Sequence, residues 1–328
     1  MVEYEEVEWD IKYDGEDFNV PLDSVHLMGQ IWKPEGDPKF VYVFVHGLAV
    51  FITFKKDFFK IIQDMKGVAF ACDHLGHGRS PGAKVSCKID EIIEETKQVI
   101  LLAHKRYPDL PILLHGHSMG GLTVLKLAMT NQDFVRQYLC GIIAEAPWIS
   151  RCPQREPGCC TVCCLRCFDK CCCSNSQFDG GVSHFSSDLA PEWVQKMKES
   201  PYMGKTITPR LYVSVRDSIK FVRENQSEFP RDVPLLFLQG MNDDLVEGKE
   251  SEVWINQLIS INDTHKITYK SFPEGPHVML KTKIRAHVIK EMMNFMQTYI
   301  PTLASSNSNE NQKEEEKNDN NDEGNEEQ

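Results

Sequence analysis

The chain has 328 residues, 41% of them hydrophobic and 26% charged, with a formal net charge of -12 at pH 7. That balance is ordinary for a globular protein, and the lack of any run of eighteen apolar residues excludes a membrane-spanning helix. The charge is uneven: nine acidic and two basic residues fall within 305–328, which leaves a mildly acidic body without the basic stripe that a nucleic-acid partner requires.

In chain order, the first segment, Met1-Val2-Glu3-Tyr4-Glu5-Glu6, has neither a positive n-region nor an apolar h-region, so no secretory signal is expected. The expectation that follows is a reducing, cytoplasmic setting in which the 12 cysteines are thiols. Up to Trp32 the pattern predicts one or two antiparallel edge strands. Lys39 to Val45 is a β-branched and aromatic strand ending at His46-Gly47. A helix follows over Phe54 to Met65, then a short buried strand from Val68 to Cys72. Asp73 to Ser80 is a loop rich in Gly and His, and Ile89 to Tyr107 reads as an amphipathic helix. Pro111 to Leu114 is the next strand, Leu122 to Met129 a helix, and Cys140 to Ala146 a further strand.

The rhythm resumes with a strand over Val233 to Leu238, a helix near Ser251 to Ile259, a strand from Lys266 to Phe272 and a last helix from Lys283 to Tyr299. Apolar strands separated by helices predict a mostly parallel sheet covered on both faces, an α/β fold. The domain reading is a core in two parts, 1–146 and 232–303, around an insertion over 147–231. That insertion holds nine of the 12 cysteines and includes a helix near Pro209 to Asn225. Open α/β sheets bind ligands at the carboxyl ends of their strands, so the insertion reads as a lid there. Residues 304–328 carry no large apolar side chain and read as a disordered acidic tail, solubilising or for docking.

Gly116-His117-Ser118-Met119-Gly120 is a G-x-S-x-G pattern. A strand precedes it and a helix follows, the context of a nucleophile elbow, which leaves the Ser118 hydroxyl exposed at a sharp turn. An alcohol needs a base within hydrogen-bond reach. In a fold of this type the order is Ser, acid, His, and His277 stands in a turn just after the strand ending at Phe272. His265 precedes that strand and His287 lies within a helix. The acid should follow the preceding strand, where Asp243 and Asp244 are adjacent; spacing does not separate them, and Asp243 is the favoured one. Two backbone N–H groups are needed to hold an oxyanion. They are expected from Met119 and from Leu48 in the His46-Gly47-Leu48 turn. Acyl transfer of this kind needs no cofactor and no metal.

Together, His46-Gly47, Asp73-His74-Leu75-Gly76-His77-Gly78-Arg79-Ser80, Gly116 to Gly121, Gly240-x-x-Asp243-x-x-Val246 and His277-Val278 resemble the monoacylglycerol lipase and lysophospholipase-like branch of the α/β-hydrolases. The resemblance spans about Ser24 to Tyr299. It implies an α/β-hydrolase fold, a Ser118–Asp243–His277 triad with Leu48 and Met119 at the oxyanion, and a lipid ester as substrate, monoacylglycerol or lysophospholipid. It also implies that His74 and His77 are structural members of a tight loop. The family pattern continues His-Gly-x-Gly-Glu-His, whereas this chain runs Ala49-Val50-Phe51-Ile52, and its lid is unlike the family's. The same triad serves other esters, thioesters, peptides and acyl transfer, and a membrane-associated binding protein without activity is the alternative from another class.

Cys159, Cys160, Cys163, Cys164, Cys167, Cys171, Cys172 and Cys173 recur at spacings of three and four. In a helix they form one polarizable stripe opposed by Arg166, Asp169 and Lys170. Three readings stand: a lid helix packed through small thiols, a membrane-facing helix whose cysteines are S-acylated on the cytosolic side, and a metal site. For the last, Cys160-x-x-Cys163 and Cys164-x-x-Cys167 have zinc-like spacing but abut without the usual loop.

Overall fold

Strand alternation sets the two faces of the fold. In the computed structural model, which describes residues 10–152, 157–180, 189–262 and 266–303, the strand Phe40–Val45 is buried at every position. Val41, Val43 and Val45 join one apolar cluster; Phe40, Tyr42 and Phe44 join the other. A period of two, apolar on both sides, is what a central strand between two helical layers requires. Leu235 and Phe237 against Leu236 and Leu238 repeat the division further along the sheet.

The strands are β1 (Glu16–Leu22), β2 (Val25–Trp32), β3 (Phe40–Val45), β4 (Gly67–Cys72), β5 (Ile112–His117), β6 (Leu139–Glu145), β7 (Leu235–Gly240) and β8 (Ile267–Phe272). They form one sheet in the order β1-β2-β4-β3-β5-β6-β7-β8. The first two strands pair antiparallel, as expected of the N-terminal segment, and β2 is antiparallel to β4. From β4 to β8 every pairing is parallel.

The helices are α1 (Lys56–Asp64), α2 (Ile89–Arg106), α3 (Met119–Thr130), α4 (Gln132–Tyr138), α5 (Cys159–Asp169), α6 (Pro191–Glu199), α7 (Pro209–Glu224), α8 (Gly248–Ile261) and α9 (Arg285–Tyr299). One face of the sheet is covered by α2, α3 and α8, through residues such as Ile92, Leu122 and Trp254. The other is covered by α1 and α9, through Phe58, Phe59, Met292 and Phe295. Each such side chain contributes about 1.5–3 kcal/mol by leaving water. This is the mostly parallel α/β sheet that the strand and helix pattern predicts, in the α/β-hydrolase architecture that the resemblance implies.

Several boundaries differ from the sequence reading. The helix expected from Phe54 opens as a 3-10 turn over Ile52–Lys55 before α1 begins. The helix expected from Leu122 starts at Met119, because the preceding turn is made within the single residue Ser118. Helices α4 and α6 are short, seven and nine residues, and the sequence reading does not include them. The insertion between β6 and β7 is not uniform: α7 packs into the core cluster beside α2 and α3. In contrast, α6 buries Trp193 and Met197 on Val50, Phe51 and Phe54.

The cysteine segment is helical, but its thiols do not pack inward. Leu165 is the buried residue of α5. Cys159, Cys160, Cys163, Cys164 and Cys167 are exposed. The reading of a lid helix packed through its thiols is corrected: a Leu side chain brings more apolar surface to the interface than a thiol, and it takes the inner face. The acidic tail expected over 304–328, and His265, lie outside the described residues.

Candidate active site

Three chain turns at the carboxyl ends of β5, β7 and β8 converge. Ser118 occupies the turn between β5 and α3 with φ 57° and ψ -115°, a left-handed conformation that costs a non-glycine residue on the order of 1–3 kcal/mol. Backbone bonds hold it there. The Ser118 N–H donates to the Glu145 carbonyl at 2.9 Å, while its own carbonyl accepts from Leu122 at 3.0 Å and Trp148 at 2.9 Å. The following glycine is required by contact: a Cβ at Gly120 would lie 2.0 Å from the Val45 carbonyl oxygen. That close approach seats the elbow against the end of β3.

Asp243 follows β7 and His277 follows β8. A Cβ at Gly240 would stand 2.2 Å from the Gly275 carbonyl, so a bare backbone lets the two turns touch. The Asn242 N–H donates to Gly275 at 3.0 Å across that seam. Asp243 Oδ1 accepts N–H bonds from Leu245 at 2.8 Å and Val246 at 2.9 Å. Its Oδ2 lies 2.8 Å from His277 Nδ1, and His277 Nε2 lies 2.8 Å from Ser118 Oγ. A carboxylate only accepts, so Nδ1 carries the proton and Nε2 accepts from the Ser118 hydroxyl. The neighbouring Asp244 is half-buried, and it is Asp243 that accepts the His277 Nδ1–H, which separates the two aspartates. His287 lies within α9, as expected.

The two expected oxyanion donors lie in the turns that adjoin Ser118. Met119 is the first residue of α3, where helix geometry leaves an N–H without an i-4 carbonyl. Leu48 lies in the turn after β3, and a Cβ at the adjoining Gly47 would stand 3.2 Å from Ser118 Cβ. Ala49, in place of the family's second glycine, nevertheless takes a glycine-like φ of 59°. Its carbonyl accepts from Gly204 at 2.7 Å.

A histidine cluster braces this turn. His46 Nδ1–H donates to the Gly47 carbonyl at 2.8 Å, and His46 Nε2 accepts the His74 N–H at 3.1 Å. His74 in turn bonds the His46 carbonyl at 3.0 Å and Glu95 Oε1 at 2.7 Å. Burial disfavours the His74 imidazolium, but the Glu95 carboxylate outweighs it and raises the pKa above the ordinary value. Burial, with His74 close by, pushes His77 down to about 3 and holds His46 well below the ordinary imidazole range. His74 and His77 thus serve the loop, as the resemblance implied.

The sequence reading missed a second layer. Lys55 Nζ donates to both Glu145 oxygens at 2.8 and 2.9 Å, with both side chains fully buried. His115 Nε2 lies 3.1 Å from the same carboxylate, and the other ring nitrogen of His115 bonds the Tyr42 hydroxyl. Burial pushes the Glu145 pKa up, but Lys55 and the histidines prevail and hold it far below the usual range. Since the Glu145 carbonyl receives the Ser118 N–H, this buried charge cluster lies directly behind the elbow. A Glu ending an apolar strand and a Lys between Phe54 and Phe58 were the available signals. Lys281 was also missed. Four residues after His277, it pairs with Asp57 of α1, as does Arg285 at 3.2 Å.

Comparison with known proteins bears on this arrangement. The family model described as serine aminopeptidase, S33 matches residues 36–283. Monoglyceride lipase from Mus musculus is 29% identical over 136 residues, 41% of this chain and 44% of that protein. A putative monoglyceride lipase from Schizosaccharomyces pombe is 24% identical over 255 residues, 76% of this chain and 65% of the relative. The chain therefore spans less than half the length of the mouse relative it matches. Among solved structures, Paleococcus ferrophilus monoacylglycerol lipase superposes with a TM-score of 0.69 at 20% identity, covering 83% of this chain and 99% of that one. A soluble variant of the Saccharomyces cerevisiae monoglyceride lipase, in complex with a substrate analog, gives 0.72 at 16% identity, covering 89% and 98%. At those identities the structural likeness establishes the fold.

Proposed function

Since the chain belongs to the serine aminopeptidase S33 family, we propose that it is a serine hydrolase that cleaves the ester of a monoacylglycerol. The observation that carries the reading is the relay from Ser118 Oγ through His277 to Asp243, with 2.8 Å at each link. In the proposed reaction His277 Nε2 takes the hydroxyl proton as Ser118 attacks the ester carbonyl. Asp243 keeps the imidazole in the required tautomer and stabilises the imidazolium. The Met119 and Leu48 N–H groups stabilise the charge that develops on the carbonyl oxygen. The imidazolium then protonates the leaving glycerol oxygen, and water attacks the acyl-enzyme by the same relay to release the fatty acid.

Two considerations support a lipid ester over a peptide, the substrate that the family description suggests. Both relatives above are named monoglyceride lipases. The segment beside the oxyanion turn, Val50, Phe51 and Phe54 under Trp193 of α6, is apolar and suits an acyl chain better than a charged amino terminus. We further place the protein at a membrane surface on its cytosolic side, bound peripherally through the segment between β6 and β7. Among the described residues no helix is long and apolar enough to cross a membrane, and α5 presents exposed free thiols.

A panel of monoacylglycerols, lysophospholipids and aminoacyl anilides, assayed on purified protein, tests the substrate class. Monoacylglycerol turnover that disappears in Ser118→Ala is expected. Anilide cleavage with no ester cleavage would overturn the lipid reading.

A further inference from the structure

Helix α5 is amphipathic in an unusual sense. Its inner face is set by Leu165, which packs into the core cluster that includes Leu211 and Val215 of α7. At 3.6 residues per turn, Cys159, Cys160, Cys163, Cys164 and Cys167 fall within an arc of roughly 140° on the opposite side. All five are exposed, as are Cys171 and Cys172 in the turn that follows. Phe168, on the edge of the arc, is 46% exposed. A helix face turned to water is ordinarily charged, whereas this one is soft and apolar. Neither packing nor hydration accounts for it.

Metal binding does not account for the helix either. A structural thiolate site brings four sulfurs to one ion at about 2.3 Å. Among the described residues only Cys171, Cys172 and Cys173 bring their sulfurs within 4.8 Å of one another. The five thiols of α5 are instead strung along about 12 Å of helix axis. Such a row suits several separate modifications of one kind, each with its own access from solvent.

We propose that the outer face of α5 is an S-acylation site, and that long acyl chains on two or more of its cysteines hold the protein against a lipid bilayer. The donor is an acyl-coenzyme A thioester. The cysteine sulfur attacks the thioester carbonyl, a new C–S bond forms as the donor's C–S bond breaks, and the donor thiol leaves with the proton that the cysteine gave up. One chain gives marginal, reversible anchoring, so at least two are needed for stable attachment. Five thiols on one face supply that number with Leu165 undisturbed. The proposal deepens the membrane-surface part of the proposed function and rests on it; the ester chemistry at Ser118 is independent of it.

The test uses the full chain expressed in cultured eukaryotic cells. Free thiols are blocked, thioesters are cleaved with hydroxylamine, and each released thiol is tagged with a maleimide polymer. Two or more hydroxylamine-dependent tags per chain are expected, with mass spectrometry placing them between Cys159 and Cys167. A variant with Cys159, Cys160, Cys163, Cys164 and Cys167 all changed to Ser should lose at least two tags and move from the membrane pellet to the supernatant. It should keep labelling by a fluorophosphonate at Ser118, which reports the fold and the hydrolase site separately. No hydroxylamine-dependent tag on the wild type would overturn the proposal, whatever the variant does. So would tags confined to other cysteines, or thiols that become reactive only after a metal chelator.

Discussion

Replacing Lys55 by Met isolates the buried charge behind the nucleophile, because methionine keeps most of the aliphatic stem and removes the ammonium. Lys55 and Glu145 are 2.8 Å apart with no exposed side-chain surface, so at an effective dielectric of about 20 their attraction is on the order of 6 kcal/mol. Most of that offsets the cost of drying both ions. The variant is left with a carboxylate buried beside His115 and no full counter-charge, a situation that typically costs about 3–5 kcal/mol. For a chain of this size the melting temperature should fall by roughly 6–12 °C. The pH dependence has a definite sign. Glu145 is held below its ordinary value of 4.5 in the folded protein, so its stabilising contribution is present above that pH and is lost as pH falls through the folded value. The gap between wild type and Lys55→Met should therefore be widest near neutrality and narrow below about pH 4.5. Denaturant melts at pH 7 and pH 4 measure it. Adding Glu145→Gln should recover part of the loss, since replacing both partners removes the unpaired charge. A single variant within about 0.5 kcal/mol of wild type at pH 7 would refute the reasoning.

Other perturbations separate neighbouring residues. Asp243→Asn should lower kcat by about 10⁴ with the fold intact, by giving the imidazole the wrong tautomer, whereas Asp244→Asn should stay within a few-fold; steady-state ester hydrolysis reads both, and equal losses would return the choice between them to open. Ala49→Gly should raise stability by up to about 1 kcal/mol, because it relieves a left-handed alanine at φ 59°, and thermal melts should register it. In Glu95→Gln the His74 imidazole should lose its raised pKa and titrate below 6.5 when followed by NMR. A raised folded value means stabilisation that is complete below the unfolded pKa of 6.5 and is lost as pH rises through the folded value, so wild-type stability should decline on that limb and the variant should not show the decline.

The parts of this molecule that could be read from the chain are those whose signal is local. β3, β5 and β7 announce themselves as apolar runs because both their faces are covered, and G-x-S-x-G lies between a strand and a helix within a few residues. His277 could be picked from eleven histidines because strand order fixes which turn reaches the elbow. What could not be read depends on contacts far apart in sequence. The Lys55–Glu145 pair joins residues ninety positions apart, and neither residue type suggests full burial alone. Helix α6 is short, and its two apolar positions, Trp193 and Met197, gain their meaning only against Phe51 and Phe54, far away in sequence. The stripe of cysteines was legible in α5, but which way it faces is decided by Leu165 against α7.

The central claim is that Ser118 is an activated nucleophile. Its most direct measurement is labelling of the purified protein with a fluorophosphonate, followed by peptide mass spectrometry. The account predicts one adduct per chain, on Ser118, and none in Ser118→Ala or in His277→Ala under the same conditions. A folded wild type that stays unlabelled, or an adduct that persists in Ser118→Ala, would contradict it.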